Sequence, residues 1–256
     1  MRLHELVHKF GGQSLLSLMV FVTSLVFFVG CGRDIVEEPQ VSVLFISLDT
    51  VRADARTPCI DGLAREGVLF EDAMCQAPAT GPSFASIMTS KYPQNCGVLH
   101  STMVLPEAQR TLAEELRGKD YRTGAFVSCS ILQSKYGFAQ GFDVYDETFT
   151  KQYSERDVER DAVDTTQALI QWLGADSDKP FFAWVHYFDT HAPYEKRTAS
   201  RLDEELGTYA FLRNLEKSRS VDDLEAALPT IRALYNGEMT HIDAHVVQFA
   251  NDHWEL

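Results

Sequence analysis

At 256 residues, the chain is long enough for one large α/β domain with its own core. Its formal charge of −14 argues against nucleic acid as a partner, because phosphate backbones are gripped through surplus Lys and Arg. An acidic surface mainly keeps a chain soluble. No internal repeat or low-complexity tract divides the sequence.

Residues 1–30 read as an export signal: Arg2 and Lys9 supply positive charge ahead of an apolar run over 15–29. That run is shorter than the roughly 20 residues of a membrane span. It ends Phe28-Val29-Gly30-Cys31, which resembles the lipoprotein box of bacteria and makes Cys31 the candidate lipidated residue. A plain signal peptide and a short membrane anchor remain open. Residues 31–40 would then be a polar tether, and 41–256 the folded domain. The expected location is the cell envelope or periplasm, on the membrane through the N-terminal lipid.

The run 41–48 is apolar without helical period and reads as a buried central strand. Asp49 and Thr50 follow at its carboxyl end, where open α/β sheets place ligands. A short helix over 60–66, a strand over 68–70, a helix over 111–116 and a strand over 123–128 come next. A helix over 157–173 and an apolar strand over 180–186 follow. Residues 201–228 read as a charged, mostly helical surface excursion, and a further helix starts at 231. Strands alternating with helices predict a mainly parallel sheet covered on both faces. Cys59, Cys75, Cys96 and Cys129 form no CxxC pair, so a zinc knuckle is not indicated; an exported compartment permits disulfides, and buried single thiols are the simpler reading.

The most informative stretch is 77–93, Ala-Pro-Ala-Thr-Gly-Pro-Ser-Phe-Ala-Ser-Ile-Met-Thr-Ser-Lys-Tyr-Pro. Thr80 stands just before Pro82 and a short apolar helix, where helix N–H groups and the positive dipole end gather an anion. That placement suits a nucleophile attacking a sulfuryl or phosphoryl group; the plain alternative is a helix cap.

Four segments together resemble the sulfatase family of the alkaline phosphatase superfamily. Thr80-Gly-Pro-Ser-Phe84 is similar to its Cys/Ser-x-Pro-x-Arg nucleophile segment, with Thr where the family makes formylglycine and Phe84 at the Arg position. Leu48-Asp-Thr-Val-Arg-Ala-Asp54 resembles the string that opens such domains, in which the Asp binds a divalent metal; Thr50 stands where many members carry a second Asp, and Asp54 reads as structural. Thr57-Pro-Cys-Ile-Asp-Gly-Leu-Ala-Arg-Glu-Gly-Val-Leu-Phe70 continues the match after a loop about ten residues shorter than usual. Pro180-Phe-Phe-Ala-Trp-Val-His-Tyr-Phe-Asp-Thr-His-Ala-Pro-Tyr194 resembles the segment whose last His touches the transferring anion, which places His191 there and leaves His186 as a core histidine.

The resemblance implies an alkaline-phosphatase-like α/β fold and a metal-dependent hydrolase or transferase acting on sulfate or phosphate esters. Thr80 and His191 would be catalytic, with His191 also binding substrate. Asp49 and Thr80 would hold the metal, one of Ca, Mg, Mn or Zn. The family's Lys-x-His is missing from 127–132. Its Asp-His-Gly-Glu, expected after the helix that carries Tyr235, Glu238 and Asp243, is not found, so the resemblance covers the family's N-terminal half and the fold reads as truncated. Asp252 and His253 are taken as a continuation of the last helix. A non-catalytic lipoprotein, remnant or anion-binding, is the competing reading.

Overall fold

The computed structural model describes residues 41–55, 57–152, 158–175, 177–194, 209–218 and 220–253. The export signal, Cys31 and the tether lie outside them. In chain order the elements are β1 (Val43–Leu48), α1 (Pro58–Glu66), α2 (Thr80–Thr89), α3 (Pro93–Cys96), α4 (Leu112–Arg117), β2 (Arg122–Val127) and β3 (Val144–Asp146). Then come β4 (Lys151–Gln152), β5 (Val158–Glu159), α5 (Ala162–Leu173), β6 (Phe181–Tyr187), α6 (Tyr209–Ser218) and α7 (Val221–His253). Four strands form a parallel sheet in the order β1-β6-β2-β3, and β4 pairs with β5 as a small antiparallel ribbon.

The sheet is parallel because its strands are apolar on both faces, and such strands persist only when helices cover each side. Alternate residues of β6 divide between two cores. Phe182 and Trp184 join Phe84, Ala85 and Met88 of α2, Ala113 of α4 and Val127 of β2. Ala183, Val185 and Tyr187 join Ala162 and Leu169 of α5 and Ile242 and Val246 of α7. Each large side chain buried this way contributes roughly 1.5–3 kcal/mol. Gly124 is required on the second face: a Cβ there would lie 2.8 Å from the Trp172 ring, which lies against the strand with the Arg122 guanidinium stacked on it at 4.2 Å.

Local signals explain the helix ends. Thr111 and Glu114 form a reciprocal capping box on α4. Asp161 caps α5 by accepting from the Val163 N–H. Asp243, reaching across from α7, accepts from the Cys59 and Ile60 N–H groups at 3.1 Å each and so caps α1.

Three expectations are corrected. A buried central strand is expected over 41–48, but β1 pairs only with β6 at the edge of the described sheet, and none of its residues is buried. Residues 68–70 form no strand: no described strand pairs with them, and Val68, Leu69 and Phe70 stand exposed. The last helix starts at Val221, not 231, and runs through Pro229 to His253. An interior proline costs about 3 kcal/mol, and burial of Leu234, Tyr235, Met239, Ile242 and Val246 along the same helix outweighs it. The helical reading of residues 252 and 253 agrees with the structure. Of the four described thiols, all free, Cys96 and Cys129 are buried, Cys75 is exposed and Cys59 is intermediate. Among the described residues no helix is long and apolar enough to cross a membrane.

Candidate active site

β1 and β6 run side by side and in register, Leu48 opposite Tyr187, so the loops that leave them emerge together. The Asp49 N–H extends the ladder by one bond to the Tyr187 carbonyl, 3.0 Å. Thr50 then takes a left-handed conformation with φ 52°, which is unusual for a β-branched residue. Two reciprocal hydroxyl bonds hold it. Thr50 Oγ1 donates to the Thr190 carbonyl at 2.8 Å, and Thr190 Oγ1 donates to the Asp49 carbonyl at 2.5 Å. The Thr50 hydroxyl is thereby committed to the backbone. Tyr235 of α7 braces the same loop, donating to the Thr50 carbonyl and accepting from the Arg52 N–H. Asp54 pairs with Arg52 on the surface.

α2 delivers Thr80. Its N-cap is Ala79, and no side chain caps it, so Thr80 is not spent as a cap. Its hydroxyl donates to Asp49 Oδ2 at 3.1 Å instead. Gly81 lets the start of α2 lie against the Ser101 backbone: a Cβ there would sit 2.6 Å from the Ser101 Cα. Burial raises the pKa of Asp49 above the usual carboxylate value; the charge of nearby His191 and the bonds from Thr80 and the Thr50 backbone pull it down but do not win.

His191 lies flat on Phe188, ring centroids 4.3 Å apart. Its Nδ1 is 2.7 Å from the Ala192 carbonyl; a carbonyl only accepts, so Nδ1 carries the proton and Nε2 is the exchangeable position. His186 is fully buried. Burial, reinforced by the charge of His191, pushes its pKa down to about 3, so the ring is neutral. Its Nδ1 meets Ser47 Oγ at 3.0 Å, and Ser47 Oγ also accepts from Trp184 Nε1 at 2.9 Å. Nε2 has no hydrogen-bond partner and faces Asp49 Oδ2 at 3.8 Å. Phe84, at the family's Arg position, packs edge-on against this ring at 5.0 Å.

Asp49, Thr80 and His191 line one cavity of about 900 Å³, with the hydroxyls of Ser83, Ser101 and Ser130 and the apolar faces of Phe45, Phe84, Ile87 and Phe188. None of the residues lining it is Lys or Arg. The three residues picked out from the sequence thus converge. Ser47, Thr190 and Ser101, which fix them in place, were not foreseen; each acts across a long sequence separation, and only the pairing of β1 with β6 brings the first two to the site.

The sulfatase family profile matches residues 42–252. The chain belongs to the sulfatase family. An ulvan-active sulfatase of Formosa agariphila is 34% identical over 96 residues, 34% of this chain and 19% of that protein. An N-acetylglucosamine-6-O-sulfatase of Bacteroides thetaiotaomicron is 26% identical over 149 residues, 53% of this chain and 26% of its own. Among solved structures, a phosphonate monoester hydrolase of Agrobacterium radiobacter superposes with TM-score 0.61 at 20% identity, covering 83% of this chain and 60% of the other. A protein solved with its substrate D-glucosamine-2-N,6-O-disulfate gives TM-score 0.62 at 15% identity, covering 83% and 62%. These likenesses establish the alkaline-phosphatase-like fold, and the chain spans about three-fifths of the length of these solved relatives.

This sulfatase-family chain carries a second cluster of ligand-type side chains. Asp161, Asp189 and His241 bring one ligand atom each to within 4.8 Å of one another, the one such group of His, Cys, Asp and Glu among the described residues. Both Asp161 oxygens and Oδ1 of Asp189 are already engaged. Asp161 Oδ1 accepts from the Val163 N–H and lies 3.0 Å from His241 Nε2, while Asp161 Oδ2 holds Lys151 Nζ at 3.0 Å. Asp189 Oδ1 accepts from the Ala162 N–H at 3.0 Å. The two carboxylates cap α5, whose positive dipole end repels a further cation.

Proposed function

We propose that this chain carries the nucleophile-bearing part of a sulfatase-family hydrolase acting on sulfate or phosphate esters. The observation that carries the reading is the Thr80 Oγ1 to Asp49 Oδ2 hydrogen bond of 3.1 Å in the wall of the cavity that His191 also lines. Thr80 Oγ attacks the sulfur or phosphorus in line with the ester oxygen. Its proton passes along the existing bond to Asp49, whose raised pKa suits it to accept one. The ester bond breaks, and the departing alkoxide takes a proton from Nε2 of protonated His191. The anion is left on Thr80 as a covalent ester. Attack by water releases sulfate or phosphate and regenerates the hydroxyl.

A buried carboxylate with too few partners beside a hydroxyl is a donor pair that fits a hard divalent cation. Asp49 and Thr80 are the residues of this chain that would hold it, and it would supply positive charge to the oxyanion and to the nucleophile. Export, with lipid attached at Cys31, belongs to the same reading and rests on the order of basic, apolar and Gly30-Cys31 residues.

The test is calorimetric titration of the purified chain with Mn²⁺ and Zn²⁺, together with mass spectrometry after exposure to p-nitrophenyl sulfate and bis(p-nitrophenyl) phosphate. Metal binding lost in Asp49→Ala and an adduct mapped to Thr80 are expected. An unmodified Thr80 and equal metal uptake by the variant would sink the proposal. They would favour the second reading, a non-catalytic remnant, which the Phe84 side chain at the Arg position and the absence of Lys and Arg among the described residues lining the cavity support.

A further inference from the structure

The Nε2 atom of His186 is a buried polar atom without a hydrogen-bond partner, on a side chain with no exposure. Such an atom costs on the order of 1–3 kcal/mol. Phe84, Trp184 and Phe188 enclose the ring, so solvent does not relieve it. The polar group it faces is the Asp49 carboxylate, 3.8 Å away.

The other ring nitrogen decides which tautomer is present. Trp184 Nε1 can only donate, so Ser47 Oγ accepts from it. Ser47 has one proton left, with two acceptors in reach: the Val185 carbonyl at 3.2 Å and His186 Nδ1 at 3.0 Å. If the proton went to Val185, Nδ1 would carry the ring hydrogen and Nε2 would turn a bare lone pair toward a carboxylate oxygen, which is repulsive in a dry site. If it goes to Nδ1, Nε2 carries the hydrogen and turns it toward Asp49 Oδ2, the atom that also accepts the Thr80 hydroxyl.

We propose that His186 is a positioning residue for the nucleophile: held as its Nε2–H tautomer by Ser47, it directs that hydrogen at Asp49 Oδ2 and keeps the carboxylate turned to the Thr80 hydroxyl. The relay runs Trp184, Ser47, His186, Asp49, Thr80, and contraction of the one long link by less than 1 Å would complete it. The role rests on Thr80 acting as the nucleophile. The tautomer stands independently of it.

Two readouts test it. Long-range ¹H–¹⁵N correlation on histidine-labelled protein, with His186 assigned from the His186→Gln spectrum, reports which nitrogen bears hydrogen. Protonated Nε2 and bare Nδ1 are expected, with hydrogen staying on Nε2 in Ser47→Ala while the Nδ1 resonance shifts as it loses its hydroxyl donor. Hydrogen on Nδ1 in the wild type overturns the proposal, since Nε2 would then be a free lone pair placed to bind a cation. In turnover of bis(p-nitrophenyl) phosphate, His186→Phe should lose about tenfold or more in kcat at steady KM. His186→Gln, which restores an N–H donor, should recover most of it. Equal losses in both variants, or a change in KM alone, overturn the positioning role. A wild-type chain inert toward every ester sinks the hydrolase reading instead, and leaves the link from Nε2–H to Asp49 to stand or fall on the spectrum.

Discussion

Two carboxylate sites sit just beyond the carboxyl ends of the same parallel strands, and they are built in opposite ways. Asp161 and Asp189 face the first N–H groups of α5, with His241 and Lys151 completing the set. Asp49 is also largely withdrawn from water, yet its carboxylate gains one hydroxyl bond, one bond from the Thr50 backbone, the nearby charge of His191 and an imidazole still 3.8 Å off. The first arrangement spends its charge on holding a helix. The second leaves charge unspent beside a cavity, and that imbalance rather than the count of acidic residues marks a chemical site. A search for clustered ligands alone picks out the first arrangement, whereas the proposed reaction uses the second.

The largest effect expected of this contrast is on turnover. Thr80→Ala should abolish ester hydrolysis, by about a thousandfold or more, with the melting temperature nearly unchanged, as steady-state assays and thermal melts would reveal. Retained turnover would remove Thr80 from the chemistry and break the comparison at its strongest point.

Next is stability at the other site. Asp189→Ala leaves the Ala162 N–H without its carboxylate acceptor in a buried site, and should cost about 1–3 kcal/mol by urea denaturation. Asp49→Asn should leave stability unchanged or raise it at neutral pH. The sign follows from burial. A carboxyl whose pKa is raised in the fold holds its proton longer there than in the unfolded chain, so stability is lost as pH rises through the folded value, and a neutral isostere avoids that loss. Equal destabilisation by the two changes would erase the distinction.

A smaller effect follows from pH. His186 protonates near 6.5 when unfolded and at about 3 when folded. Between these values the unfolded chain binds the extra proton, so the fold should weaken as pH falls from 6.5, with a slope of at most about 1.4 kcal/mol per unit from this residue. Denaturation midpoints of His186→Gln across that range should be flatter than those of the wild type. The smallest change is expected at Asp54→Asn, where an exposed partner of Arg52 is removed; melts should not register it.

Much of this was legible in the sequence, for physical reasons. The runs at 41–48 and 180–186 are apolar on both faces and read as strands of a covered sheet; β6 is central, whereas β1 stands at the edge of the described strands. Asp49, Thr80 and His191 stand at element ends, where a sheet of this type exposes its chemistry. What stayed hidden depends on distant partners. Ser47 is a plain strand serine until β6 places His186 and Trp184 beside it. Asp161, Asp189 and His241 are unrelated in sequence until α5, β6 and α7 meet. The last helix is expected from 231 because propensity is local, whereas the burial that carries α7 through Pro229 is not. Residues 68–70 have the composition of a strand, but a strand needs a neighbour.

The paired hydroxyl bonds between Thr50 and Thr190 carry a consequence for motion. They tie the loop that bears Asp49 to the loop that bears His191, so the proton acceptor and the proton donor of the proposed reaction travel as one rigid body. The distance between acid and base is therefore set by the fold before any substrate arrives.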